Sequence, residues 1–430
     1  FKQPDSGTRG TPGQGRQSSF YSACVILLPI NQGICRIDDR LGKKKMKRIV
    51  ILGSTGSVGR NTLDVISKFP EKFRVVGLTA GWNSDELERQ IRKFDPQIVS
   101  LASEEKAEKL KKRLRNREIT VCSGVEGLIR VATFPEGDLV VSAIVGAAGM
   151  IPTLSAIKAK KNVALANKET IVMAGKIVME EAAKNGVEII PIDSEHMALL
   201  QSMAGHRRED VRRLIITASG GPLLDASLSR RRAIKPNEAL RHPTWQMGAK
   251  ISIDSATLMN KGFEVIEAGW LFDIPAGSIE VLIHRQSIVH SMVAYKDGSI
   301  IAQLGVPDMR GPISYALNYP ERLEVGLPQL DLAEIGKLTF RQPDLKRFPC
   351  LAYAYEAMNI GGTMPAMLNA ANEEAVRAYL NGTIGFLDIP KIIRKVLDSA
   401  SAKKIEKLED VIVADGWARE TASGYIKSLS

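Results

Sequence analysis

Two carboxylates, a hydroxyl and an imidazole stand in a row at Asp193-Ser194-Glu195-His196, directly after the apolar run Val187-Glu188-Ile189-Ile190-Pro191-Ile192. A short run of that kind reads as a buried strand. The polar residues therefore fall where a strand leaves the core, the place where open α/β sheets bind their ligands. Asp193 and Glu195 are two apart and point the same way from extended backbone. The competing reading is a helix start, with Asp or Ser as the cap and a Glu behind it. A later stretch weighs against the plain cap. Between His242 and Glu264 the chain carries Asp254, Ser255, Thr257, Asn260 and Lys261, which a core would not gather. On a helix starting near Ser255, Asn260 and Glu264 lie four apart and Lys261 and Glu264 three apart, so they share a face. Glu264 can then join Asp193 and Glu195 around a hard divalent cation, and oxygen-only ligands suit Mg²⁺ or Mn²⁺. Ser255, Asn260, Lys261 and Ser219, the last in a glycine turn, can hold a phosphate. His242, Trp245 and Met247 lie in a long polar connection that reads as a lid over a reacting substrate.

A second chemical signal sits near the start of the ordered pattern. In "ILGSTGSVGRNTLDVI" an apolar strand runs into Gly53, Gly56 and Gly59 and then into a helix. Glycines there let the backbone turn tightly and approach a pyrophosphate at the helix N-terminus. The context of strand, loop and helix makes this a dinucleotide site. The second strand ends in Thr79-Ala80-Gly81-Trp82-Asn83-Ser84, with no carboxylate before Asp85. An NAD site would place an acid there for the ribose hydroxyl, so its absence favours NADP(H). No Arg or Lys in this turn supplies the matching positive charge.

These groups need a scaffold, and the chain alternates strands and helices from Met46 onward. Strands are expected at 48–52, 74–79, 98–101, 139–144, 163–166 and 188–192, with helices at 61–67, 84–94, 104–117, 152–160 and 170–185. Such alternation gives a parallel sheet covered on both faces. After Asp193 the pattern changes to an α+β region, with strands at 214–217, 279–284, 288–295 and 300–304 and a hairpin at Lys296-Asp297-Gly298. From about Leu345 the chain reads as helices only, at 350–359, 364–380 and 389–400 among them. The expected units are residues 46–193 for the dinucleotide, 194–318 for catalysis and dimerisation, a linker at 319–344, and a helical unit at 345–430. Residues 1–45, rich in Gly, Ser, Gln and Arg, show no sustained periodicity and read as an extension outside the fold. They are either sequence upstream of a bacterial start at Met46 or part of a targeting peptide, which would direct the chain to a plastid.

Composition narrows the classes. The 430 residues carry a net charge of +11. The basic clusters lack any recognisable nucleic-acid module, so no nucleic-acid partner is expected. No apolar run approaches the roughly 20 residues of a membrane span, so no membrane partner is expected either. A basic chain does suit a phosphorylated substrate and cofactor. Four scattered cysteines, with neither metal nor disulfide spacing, indicate reduced thiols and a cytoplasmic chain.

Taken together, "GSTGSVG", "LANKE", "PIDSEH", "ASGGP", "HPTWQMG", "DSATLMNKGFE" and "LNAANE" run in order from Met46 to the C-terminal part, and the chain resembles the 1-deoxy-D-xylulose 5-phosphate reductoisomerase family. The resemblance implies an NADPH domain, a catalytic domain and a C-terminal helical bundle in a V-shaped homodimer. It implies that Thr55, Gly56, Ser57, Val58, Gly81, Asn83, Asn167, Glu169 and Gly248 touch NADPH. It implies a metal held by Asp193, Glu195 and Glu264. Lys168, Ser194, Glu195, Ser219, His242, Ser255, Asn260, Lys261 and Glu264 would then meet the substrate, with Lys168, Glu195 and His242 as catalytic groups. The implied reaction rearranges 1-deoxy-D-xylulose 5-phosphate and reduces the aldehyde with NADPH. Two positions depart from the pattern: Trp82 where a basic residue would help select NADPH, and Thr244 where the lid motif often has Asn.

Overall fold

The structure is a computed structural model that describes residues 46–240 and 248–429. The first sheet has seven parallel strands: β1 (Lys47–Leu52), β2 (Phe73–Ala80), β3 (Ile98–Leu101), β4 (Thr120–Ser123), β5 (Leu139–Ser142), β6 (Asn162–Leu165) and β7 (Ile189–Pro191). Their spatial order is β4-β3-β2-β1-β5-β6-β7. This is the doubly wound order, reversing beside β1, with β4 added at one edge. Residues alternate between two cores, as a strand buried on both faces requires. Ile49 and Ile51 join Leu63, Ile66, Leu87 and Ile91 on one side, while Val50 and Leu52 join Leu154, Ile157 and Ile171 on the other.

The second sheet is β8 (Val211–Ala218), β9 (Ile279–Ile283), β10 (Val289–Tyr295) and β11 (Ile300–Leu304), ordered β11-β10-β8-β9. β10 runs antiparallel to both neighbours and β8 parallel to β9. The turn at Lys296-Asp297-Gly298 joins β10 to β11, with Gly298 at φ +91°. The helix Met259–Phe272 packs against the helices Lys168–Asn185 and Pro349–Ile360. It thereby ties both sheets to the C-terminal helices Pro349–Ile360, Met364–Leu380, Asp388–Ser399 and Leu408–Lys427.

Several expectations need correction. The strand β4 and the following helix Gly124–Ala132 were not anticipated. The polar face is not carried by one helix from Ser255. Leu258, in the left-handed region at φ +61°, breaks it into Ala249–Thr257 and Met259–Phe272. The helix Arg310–Asn318, expected with the catalytic unit, returns to the first sheet. Ile313 and Leu317 share the core of Ile49 and Ile51, and Lys47 Nζ donates to the Leu317 carbonyl at 2.7 Å.

Candidate active site

Asp193 and Glu195 do not extend together from a strand. β7 ends at Pro191, Asp193 caps the helix Ser194–Met203, and Glu195 lies in that helix's first turn. The Asp193 carboxylate accepts the Glu195 N–H at 3.1 Å through Oδ1. Its other oxygen, Oδ2, accepts Lys168 Nζ at 2.8 Å, so Asp193 caps the helix and also faces the cluster. Ser194 Oγ donates to Glu195 Oε2 at 2.5 Å and fixes that carboxylate. Glu264 comes from the helix Met259–Phe272, and an oxygen from each of Asp193, Glu195 and Glu264 lies within 4.8 Å of the others.

Two lysines hold this trio together. Lys168, at the start of its helix, donates to Asp193 Oδ2 at 2.8 Å, to Asn260 Oδ1 at 2.8 Å and to Glu264 Oε1 at 3.2 Å. Lys261 donates to Glu195 Oε1 at 2.8 Å and to Glu264 Oε2 at 2.5 Å. Asn260 Nδ2 adds a bond to Glu264 Oε1 at 2.6 Å. Burial opposes the charge on Lys168, but Asp193 and Glu264 outweigh it and hold its pKa well above the usual value. For Asp193 burial acts upward and Lys168 and His196 act downward, leaving it well below the carboxylate range. Glu264 is raised, by burial and then by Asp193 and Glu195, against the pull of Lys261 and Lys168. A buried carboxylate with a raised pKa is one that a cation would relieve. Three hard oxygen donors with a net excess of negative charge over the two lysines fit Mg²⁺ or Mn²⁺.

Behind the trio lies a pair that spacing alone did not single out. His196 is fully buried. Its Nε2 is 2.9 Å from the Glu264 carbonyl, and its Nδ1 is 3.3 Å from both Asp193 Oδ1 and Glu267 Oε2. Burial lowers the His196 pKa, but Glu267 and Asp193 raise it to about 9. Glu267 is pushed up to about 7, by burial first and against the effect of His196. The three-residue step from Glu264 to Glu267 on one helix was the available signal.

The glycine loop is built from backbone. Gly53, at φ +86°, has no room for a Cβ beside the Ala143 carbonyl, and a Cβ on Gly59 would overlap the Gly53 carbonyl and Ser54 Cα. Gly53 N–H donates to Thr79 Oγ1 at 2.9 Å, which joins the loop to β2. The helix Ser57–Lys68 opens at Gly56 with no side-chain cap and no acid in its first turn. Its free N–H groups and positive dipole end therefore suit a diphosphate. Thr55, Gly56, Ser57 and Val58 are all at this opening. Gly81 and Asn83 lie at the end of β2, where Asn83 Oδ1 accepts the Glu86 N–H at 3.1 Å.

Asn167 and Glu169 are committed to internal bonds. Asn167 Nδ2 donates to the carbonyls of Ile144 at 2.5 Å and Gly146 at 3.0 Å, anchoring the loop after β5. Glu169 receives Lys250 at 2.7 Å, and Lys250 also pairs with Asp254 at 3.0 Å. Asn372 donates to Asp254 at 2.7 Å, which connects the network to the C-terminal helices. Gly248 caps the helix Ala249–Thr257. Ser255 lies on that helix where its carbonyl closes on Gly221, leaving no room for a Cβ at φ +67°. Ser219 Oγ accepts the Gly221 N–H at 3.3 Å in the same turn. His242, Thr244, Trp245 and Met247 lie outside the described residues.

Comparison with known proteins agrees along the length of the fold. A family model described as 1-deoxy-D-xylulose 5-phosphate reductoisomerase matches residues 49–175, and models of its C-terminal domains match residues 189–272 and 304–421. A 1-deoxy-D-xylulose 5-phosphate reductoisomerase of Chlorobium phaeobacteroides is 54% identical over 382 residues, covering 89% of this chain and 100% of that protein. The Geotalea daltonii protein of the same name is 52% identical over 384 residues, again covering 89% and 100%. The solved reductoisomerase of Zymomonas mobilis in complex with NADPH aligns with a TM-score of 0.83 at 42% identity, covering 89% of this chain and 100% of that one. A reductoisomerase structure with NADPH, fosmidomycin and magnesium gives 0.84 at 41% identity, covering 89% and 98%.

Proposed function

The chain belongs to the 1-deoxy-D-xylulose 5-phosphate reductoisomerase family, and from that membership we propose that it converts 1-deoxy-D-xylulose 5-phosphate to 2-C-methyl-D-erythritol 4-phosphate in isoprenoid precursor biosynthesis. The observation that carries the reading is the gathering of Asp193, Glu195 and Glu264 beside Lys168 and Lys261. Mutual repulsion of three carboxylates costs stability unless a shared cation uses them. Bound there, Mg²⁺ or Mn²⁺ supplies Lewis acidity toward adjacent oxygens of the ketose phosphate. Thr55, Gly56, Ser57 and Val58 at the glycine loop would hold NADPH, which would supply hydride chemistry.

The protein's own groups do the rest. Asn260, Lys261, Ser219 and Ser255 hold the phosphate end, with N–H groups of the glycine turn. Lys168 stays protonated beside its carboxylates and so serves as a donor to a developing oxyanion rather than as a base. Glu195, steadied by Ser194, is the carboxylate placed to exchange a proton with a substrate hydroxyl. The first unit, residues 46–193, binds the nucleotide, and 194–318 carries the chemistry apart from the helix Arg310–Asn318, which packs on the first sheet.

We place the enzyme in the bacterial cytoplasm, supported by free, buried Cys122 and Cys350. Among the described residues no helix is long and apolar enough to cross a membrane. The edge strand β11 is only half-buried and pairs on one side with β10, which supports a homodimer formed through that sheet. The test is a spectrophotometric assay with deoxyxylulose phosphate, NADPH and Mn²⁺. Metal-dependent loss of nicotinamide absorbance is expected. Turnover unaffected by a chelator would point to a plain dehydrogenase instead.

A further inference from the structure

The turn that ends β2 carries no basic side chain, yet a positive charge is delivered to it from the next crossover. Lys106 lies in the first turn of the helix Glu104–Arg113. Its Nζ donates to the Trp82 carbonyl at 2.6 Å and stands 5.7 Å from the centre of the Trp82 ring. Trp82 is 70% exposed, so this pair faces outward. A hollow of about 510 Å³ opens beside it, lined by Ser84, Asp85, Glu105, Lys106, Lys109, Lys112 and Arg113.

The surrounding carboxylates are already engaged. Asp85 pairs with Arg113 at 2.8 Å, Glu88 with Arg92 at 2.6 Å and with Arg113 at 2.9 Å, and Glu105 with Lys109 at 2.5 Å. Glu86 pairs with Arg89. Among the described residues Lys106 forms no ion pair within 4 Å, although Asp85 and Glu105 are near enough to feel its charge; its ammonium is held by a neutral carbonyl and a ring face. Both contacts fix its position without neutralising it.

In a doubly wound fold the residue ending the second strand meets the adenosine ribose. A carboxylate there selects a free 2′-hydroxyl, and a nearby cation accommodates a 2′-phosphate. We propose that Lys106 is the specificity-determining residue for the phosphorylated nucleotide: the Trp82 carbonyl and ring hold its ammonium over the turn, where it meets the 2′-phosphate of NADPH. The charge that the turn lacks in sequence comes from a residue 24 positions further along. This inference rests on the dinucleotide reading of the glycine loop.

The test is calorimetric titration of the full chain, without substrate, using NADPH, NADH, adenosine 2′,5′-bisphosphate and adenosine 5′-monophosphate. Wild type should prefer the 2′-phosphorylated member of each pair. Lys106→Ala should weaken NADPH and the bisphosphate by about tenfold or more, the loss of one charge-assisted contact. NADH and the monophosphate should change by less than about twofold, and Lys106→Arg should keep the preference. An equal loss for phosphorylated and unphosphorylated ligands would make Lys106 a structural residue and overturn the inference. So would full retention of the preference in Lys106→Ala. A wild type that binds neither dinucleotide, or shows no preference, would defeat the cofactor reading itself and this inference with it.

Discussion

The two clefts of this molecule are made of opposite materials. The loop after β1 works by what it lacks: side chains at Gly53, Gly56 and Gly59, and a cap at the helix Ser57–Lys68. The cluster at Asp193, Glu195 and Glu264 works by what it concentrates, three buried or half-buried carboxylates joined by Lys168 and Lys261. The first presents backbone donors to an anion, and its shape is enforced by sterics. The second presents oxygens to a cation, and its shape depends on ammonium groups that hold mutually repelling carboxylates in place. An anion site of this kind survives changes in charge and fails on added volume. The cation site should behave in the opposite way.

The largest expected effect follows from the second half of that contrast. Glu264→Gln keeps the volume and removes a charge, so turnover should fall about 10³-fold or more, with weakened Mn²⁺ binding by calorimetry and unchanged NADPH affinity. Near-normal turnover would break the contrast at its stronger end. Next, Lys250→Met strikes the residue that bridges the helices Lys168–Asn185 and Ala249–Thr257. It would leave Glu169 and Asp254 buried without their cation, which costs about 3–5 kcal/mol, read as a large drop in melting temperature. An unchanged melt would show that this buried charge network contributes little to stability. Gly59→Ala adds only a methyl group but places it on the Gly53 carbonyl. Overpacking of about 1–3 kcal/mol should appear as weaker NADPH binding while Mn²⁺ affinity holds. Equal loss at both sites would mean the sheet, rather than the loop, had been disturbed. The smallest effect should come from Asn83→Ala, which removes a helix cap worth about 1 kcal/mol. A loss in nucleotide affinity well beyond that would promote Asn83 from cap to direct contact.

What could be read from sequence depended on how locally each feature is encoded. β1, the glycine loop and its helix are contiguous, and their apolar run and glycine spacing are enough to identify them. β4 escaped because Thr120-Val121-Cys122-Ser123 is short and half polar, and its pairing with β3 is a long-range fact. The break at Leu258 escaped because leucine carries no turn signal. Its buried side chain, rather than its backbone preference, keeps it there. The carboxylate trio was found because two members are neighbours and the third shares a helix face with Asn260 and Lys261. The Lys250 network was not, since only Lys250 and Asp254 share a helix, four apart, while Glu169 and Asn372 come from two others far along the chain. Resemblance assigned Asn167 to the cofactor. Its amide also donates to the Ile144 and Gly146 carbonyls, which only three-dimensional contacts reveal.

The carboxylate trio also straddles a seam. Asp193 and Glu195 follow the last strand of the first sheet, whereas Glu264 rides on a helix that packs against the second. Between them the chain passes through an exposed turn at Gly205, φ +79°, where an added Cβ meets nothing. A chain cut at that turn yields two polypeptides, each with an incomplete ligand set. Catalysis would return only when the pieces reassemble, which makes this fold a candidate split reporter whose signal is an enzymatic turnover.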